Sequence, residues 1–196
     1  MNKHLFKGCD FMKYFRKIEG ERIYLSPMSV EDAEKCTEWF NDRKNTDGWH
    51  SRSKLYTTEG ERVWITNVLN NTKEYNFAIV NTKNDELLGS CSLTHVNHLD
   101  RTAVVGILIG DEENKSKGYG SEALTLLLDY GFNILNLHNI KLDVFAFNER
   151  AIACYKKVGF KEYGRRHECH FLDGKYHDSV SMEILEDDFR NIHKKA

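Results

Sequence analysis

The hexapeptide Lys115-Ser116-Lys117-Gly118-Tyr119-Gly120 constrains this chain more than any other segment, because it joins an apolar run at residues 104–109 to an amphipathic stretch starting at Ser121. A strand, a glycine loop and a helix start in that order form an anion site. Free backbone N–H groups point out of the loop and first turn, the macrodipole adds partial positive charge, and two glycines let a pyrophosphate approach closely. Lys115 and Lys117 add full charges at the same place. The segment predicts a phosphate-bearing ligand held between a strand and a helix.

The surrounding pattern predicts a mixed α/β domain. Leu124, Leu127, Leu128, Gly131, Phe132 and Leu135 form an apolar stripe at helical spacing, suited to packing on a sheet. Upstream, residues 22–25 read as a strand, and Ser29 with Asp32 caps a helix that buries Val30, Ala33, Cys36 and Phe40. Thr58-Glu59-Gly60-Glu61 has the form of a capping box opening a second helix to about Leu69. Residues 76–80, 87–93 and 102–109 read as an antiparallel meander, and residues 140–145 as the next strand. Asn148 caps a short helix that stops at Gly159, and Asp173-Gly174 predicts a tight hairpin turn between strands at 165–172 and 175–184. The order is βααβββαβαββ, seven strands in one domain at residues 21–190, preceded by an arm at residues 1–20 in which Met12 is an alternative start.

Composition excludes several classes. The net charge of −2 with interspersed Lys, Arg, Asp and Glu argues against a nucleic-acid partner bound by broad electrostatics. Five cysteines without a CxxC pair indicate neither a disulfide framework nor a zinc knuckle, so no metal is expected and a reducing, cytoplasmic setting fits. No run approaches the ~20 apolar residues of a membrane span, and the N-terminus lacks the features of a signal peptide.

The glycine loop after the fourth strand and the segment after the fifth together resemble the GCN5-related N-acetyltransferase (GNAT) superfamily, especially the branch acting on ribosomal-protein N-termini and on polyamines such as spermidine. The family pattern Q/R-x-x-G-x-G/A aligns with Lys115-x-x-Gly118-x-Gly120, with Lys in place of Gln or Arg. Asn148-Glu149-Arg150-Ala151-Ile152-Ala153-Cys154-Tyr155-Lys156-Lys157-Val158-Gly159-Phe160 is similar to its N-x-x-A-x-x-x-Y-x-x-x-G-F signature, and Asp173-Gly174-Lys175-Tyr176 to its last hairpin. The resemblance covers about residues 22–189.

It implies an α/β (α+β) GNAT fold: a mixed, mostly antiparallel seven-stranded sheet flanked by helices and splayed, with a bulge, between its fourth and fifth strands. Acetyl-CoA is the implied cosubstrate. Its diphosphate would lie on Lys115, Lys117, Gly118, Tyr119, Gly120 and Ser121, and its pantetheine arm alongside Leu108, Ile109 and Gly110. Asn148, Ala151 and Lys157 complete the cosubstrate set, and an unpaired N–H near Leu108 or Ile109 would polarise the thioester. Tyr155 is the implied acid, restoring the thiol of CoA after direct attack by the amine in a ternary complex. The acceptor would be a protein N-terminus or a polyamine; a non-catalytic acyl-CoA sensor is the third reading. Edge pairing through the last hairpin is a candidate homodimer contact.

Other readings stand beside this one. The loop also fits a loose dinucleotide fingerprint with Asp143 as the ribose acid, although Asp143 sits inside an alternating strand. Tyr155 fits a core aromatic, Asn148 a simple helix cap, and His167 and His170 surface positions. No base is evident: Val104 stands where relatives carry Glu, leaving Glu112, Glu113, Glu168 or water. Cys91 and Cys154 offer a covalent route without evident activation. Glu31, Asp32, Glu34, Glu38 and Asp42 form a candidate cation cluster that a solvated helix face also explains.

Overall fold

The computed structural model describes residues 13–48 and 53–193. The alternative start at Met12 and the rest of the arm before residue 13 lie outside the described residues, as does part of the expected loop at residues 41–57. The strands are β1 (Ile18–Glu19), β2 (Ile23–Pro27), β3 (Tyr75–Asn81), β4 (Leu87–Asn97), β5 (Thr102–Ile109), β6 (Asn139–Phe145), β7 (Lys161–Leu172) and β8 (Lys175–Leu185). The helices are α1 (Ala33–Asn41), α2 (Arg43–Thr46), α3 (Thr58–Asn70), α4 (Tyr119–Asn133), α5 (Glu149–Val158) and α6 (Glu186–Ile192). None of the described helices is long and apolar enough to cross a membrane.

The sheet is mixed, ordered β1-β2-β3-β4-β5-β6-β8-β7, and antiparallel except between β5 and β6. It has eight strands rather than the expected seven, because Ile18 and Glu19 pair with Leu25 and Tyr24. That strand is too short for a periodicity signal. It arises where the N-terminal segment is fastened down: buried Tyr14 donates its hydroxyl to Asp32 at 2.6 Å, and Lys13 pairs with the same carboxylate at 2.7 Å.

One face of the sheet carries α4, whose Leu124, Leu127, Leu128 and Phe132 are buried against Ile79, Leu93, Ile140 and Leu142. Each fully buried Leu contributes roughly 1.5–3 kcal/mol through removal of apolar surface from water. The other face carries α1 and α3, with Cys36, Trp39, Phe40 and Ile65 packed against Leu108. Side chains along β5 alternate between these two cores, as a strand requires.

Local signals behave as their chemistry predicts. Gly159 ends α5 at φ 118°, and Asp173 and Gly174 both have positive φ, the geometry of a type I′ hairpin turn. Two expectations need correction. The capping acceptor of α3 is Thr57, whose hydroxyl accepts from the Gly60 N–H, so Glu61 lies one turn inside the helix and does not cap it. His170 is buried rather than on the surface, stacked on Phe145 with ring centroids 3.8 Å apart.

Candidate functional site: a forked sheet with a cavity on each side of β5

β5 and β6 pair only from Thr102–Asn139 to Val104–Lys141 and then diverge. The register of β5 with β4 runs unbroken from Val104 to Ile109, and the irregularity in this ladder lies at its other end, between Thr94 and Asn97. The Gly110 N–H donates to the Leu88 carbonyl, so even-numbered residues of β5 direct their backbone groups to β4. Arg101, whose carbonyl accepts from His138 and Asn139, sets the odd-numbered residues toward β6. Past the fork, the backbone groups of Val105, Ile107 and Ile109 therefore have no strand partner. Leu108 turns its N–H to β4, which leaves Ile109 of the expected pair facing the gap.

The fork opens into a groove of about 790 Å³. Among the residues expected to bind the cosubstrate, Leu108, Ile109, Lys115, Lys117 and Gly118 line it. Gly120, Ser121, Asn148, Ala151 and Lys157 do so as well, together with Tyr155. Gly110 and Tyr119 do not. A Cβ on Gly110 would lie 2.0 Å from the Trp39 indole, so this glycine exists to admit Trp39. Tyr119 packs half-buried against the main core, with the Arg22 guanidinium 5.3 Å from its ring centroid.

The loop is an uncapped helix entrance. Gly118 is the N-cap of α4 at φ 88° and, having no side chain, offers no cap to the first-turn amides. Arg22, which the sequence pattern does not single out, clamps this loop: it donates to the Lys117 carbonyl at 2.8 Å and to Glu122 at 2.8 Å. The two lysines differ. Lys115 is buried along its stem and spends its ammonium on Asn45 at 2.7 Å and Glu112 at 2.8 Å, whereas Lys117 is exposed. Lys115 therefore braces the groove wall, while Lys117 stands exposed beside the amides of the helix entrance.

Asn148 caps α5 through the Ala151 N–H at 3.2 Å while lining the groove, so its cap and site positions coincide. Tyr155 packs its ring edge-on against Phe160 and turns into the groove. Burial, with a smaller contribution from Cys154, pushes its phenol well above the usual value, so it holds its proton throughout the neutral range. Burial raises the Cys91 thiol strongly, which makes it a poor nucleophile, and Cys154 sits 3.4 Å from the Ser121 hydroxyl. Asp143 accepts from Ser181 at 2.5 Å.

None of the acids considered as a base is well placed. Glu112 is held below the usual carboxylate range by Lys115 and then Arg150. Glu113 and Glu168 line neither cavity. Three of the five acids in the cluster are committed elsewhere: Asp32 to Lys13 and Tyr14, Glu38 to Lys35, and Asp42 to the Lys44 N–H at the start of α2.

A second cavity, about 330 Å³, lies on the α1/α3 side of the sheet and shares Gly106, Ile107 and Leu108 with the groove. Phe40, Tyr56 and Trp64 form its aromatic walls, and Glu61, Glu74 and Lys54 its charges. Glu61 is 3% exposed, and its Oε2 has no hydrogen-bond partner among the described residues. The Asn76 amide nitrogen, in the same lining, is also unpartnered among them. Sequence reasoning passed over Glu61 because its spacing from Thr58 reads as a cap.

Comparison with known proteins agrees with this geometry. The family described as "Acetyltransferase (GNAT) domain" matches residues 22–161. A protein named "Probable N-acetyltransferase YjcK" from Bacillus subtilis is 31% identical over 180 residues, covering 87% of this chain and 98% of the relative. Spermidine N(1)-acetyltransferase of Vibrio cholerae is 31% identical over 151 residues, 77% of this chain and 86% of the relative. The crystal structure of spermidine N-acetyltransferase from Vibrio cholerae in complex with CoA and spermine superposes with a TM-score of 0.78 at 27% identity, covering 86% of this chain and 98% of that one.

Proposed function

Because the chain belongs to the GNAT acetyltransferase family, and is therefore an acetyl-CoA-dependent N-acetyltransferase, we propose that its acceptor is a primary amine of an aliphatic polyamine. The carrying observation is that a carboxylate-lined cavity and the fork groove meet at the same three residues of β5. In this reading the donor lies in the groove and the amine enters from the opposite face of the sheet.

The site residues divide the work. The amides of Gly118, Gly120 and Ser121, with the Lys117 ammonium, take the diphosphate at the positive end of the α4 dipole. The unpaired backbone groups of Val105, Ile107 and Ile109 pair with the extended arm of the cosubstrate, as an added strand would. The Ile109 N–H is positioned to polarise the thioester carbonyl. Bound acetyl-CoA supplies the activated acyl group. Tyr155, a neutral phenol at working pH, is the proton donor beside the departing thiolate; a phenol is a weaker acid than a thiol, so the transfer is completed by the proton that the newly acylated nitrogen gives back to the tyrosinate. Glu61 and Glu74 face a cationic acceptor, and Tyr56, Phe40 and Trp64 pack along an aliphatic chain and stabilise its charge.

One observation favours the protein N-terminus as acceptor. The Asn76 amide nitrogen would satisfy a peptide carbonyl beside an α-amine, which a polyamine lacks. CoA release measured with spermidine and with a library of N-terminal peptides separates the two. The polyamine reading expects kcat/KM for spermidine to exceed that of the best peptide by about tenfold, the equivalent of one hydrogen bond to a charged group. A peptide that matches spermidine overturns it.

A further inference from the structure

Resting on that reading, we infer that Glu61 holds the acceptor's ammonium and takes its proton before attack. The placement is specific. Glu61 stands on the inward face of α3, four residues before buried Ile65, where an apolar side chain would complete the stripe. A carboxylate buried without a partner is costly to keep, and its presence implies a ligand that completes it. Its Oε2 is unpartnered among the described residues and faces a cavity whose far wall is β5. There Gly106, by lacking a side chain, leaves the strand accessible from the α3 side.

The cavity already attracts a primary ammonium. Lys54 places its Nζ 4.7 Å from the Tyr56 ring centroid and pulls the Glu61 carboxyl toward ionisation, against burial, which raises it more strongly. Lys54 thus shows where a substrate's second charge would sit, with Glu74 at the same lining. The other ionisable groups around Glu61 do not compete for its role. Asp32, before α1, is committed to Lys13 and Tyr14. Cys36 of α1 is pushed up to about 12, and Cys91 of β4 is raised by burial.

The chemistry balances without a further reactant. An acceptor R–NH3+ passes one proton to the Glu61 carboxylate, leaving the nitrogen lone pair free. The nitrogen bonds to the thioester carbon, the C–S bond breaks, and the thiolate takes the Tyr155 proton. The amide nitrogen sheds its extra proton to the tyrosinate, and Glu61 returns its own to solvent. Net, R–NH3+ and the thioester give the amide, the thiol and one free proton.

The test compares ethylamine, protonated at neutral pH, with trifluoroethylamine, which is neutral there and similar in shape, in wild type and Glu61→Gln. Spermidine turnover by wild type comes first, because no CoA release with any amine would sink the acetyltransfer reading itself. Given turnover, Glu61→Gln is expected to lower kcat/KM about 100-fold for ethylamine and spermidine, the ordinary worth of a general base. For trifluoroethylamine the loss should stay within about threefold, since that amine has no proton to give up. The acid limb of the pH profile should vanish with the carboxylate and persist in Glu61→Asp. Equal losses for both small amines, or no loss for either, overturn the inference. Unchanged acetyl-CoA affinity by calorimetry reports that Glu61→Gln is folded; if it is not, a Glu61→Asp variant with no acid limb overturns the inference equally.

Discussion

Tyr155 and Glu61 illustrate the two ways a residue can be read. Tyr155 was singled out because the segment from Asn148 to Phe160 resembles a family signature, and the structure places it in the lining of the groove. Replacing it with Phe should lower kcat by about 100-fold if it is the proton donor, with acetyl-CoA affinity unchanged in calorimetry. Glu61 was hidden because Thr58-x-x-Glu61 mimics a cap, and only the shift of the helix start to Thr57 turns the carboxylate inward. Its energetics have a measurable sign. Burial raises its carboxyl in the folded chain, so the fold holds this proton more tightly than the unfolded chain does. The resulting contribution is fully present below the unfolded value of about 4.3 and is lost as pH rises through the higher folded value. Glu61→Gln is therefore expected to melt at a higher temperature than wild type at neutral pH, with the gap closing toward about pH 4. A lower melting temperature at neutral pH would mean the carboxylate is stabilised by groups absent from its surroundings here.

At the scale of elements, the strand, glycine loop and helix were legible because each uses strong local physics: apolar alternation, positive φ at Gly118, and an apolar stripe on α4. What escaped was relational. The role of Gly110 is set by Trp39, which lies far away in sequence, and the Arg22 clamp on the loop spans a similar distance. Gly110→Ala should force the indole aside, break its hydrogen bond to Asp111 at 3.0 Å, and destabilise by roughly 1–3 kcal/mol, as overpacking does. Thermal melts and a shifted tryptophan emission would register it. The fork opens where the parallel pairing ends, after Val104 and Lys141, and the twist of the sheet carries the strands apart.

For the whole molecule, the succession of strands and helices along the chain followed from the sequence pattern, and the forked sheet flanked by helices from the family resemblance. The eighth strand did not, since two residues carry no period. That strand changes what the N-terminal segment is. We propose that residues 21–190 form the catalytic unit and that the segment before them fastens β2 and the helix that follows. Removing residues 1–17 should strip Asp32, 1% exposed, of its Lys13 and Tyr14 partners. A loss of about 3 kcal/mol, in the range for breaking a buried pair, would lower Tm by roughly 6–12 °C for a chain of this size. An unchanged melting curve would show the segment to be an appendage after all.

The partition between the two chambers is a single strand thick at Gly106, Ile107 and Leu108. On the proposed function, the groups that grip the nucleotide end lie behind it, and those that sort amines lie in front. Descendants of such a fold are thus free to exchange one guest for another by remodelling the front room alone, with the back room inherited intact.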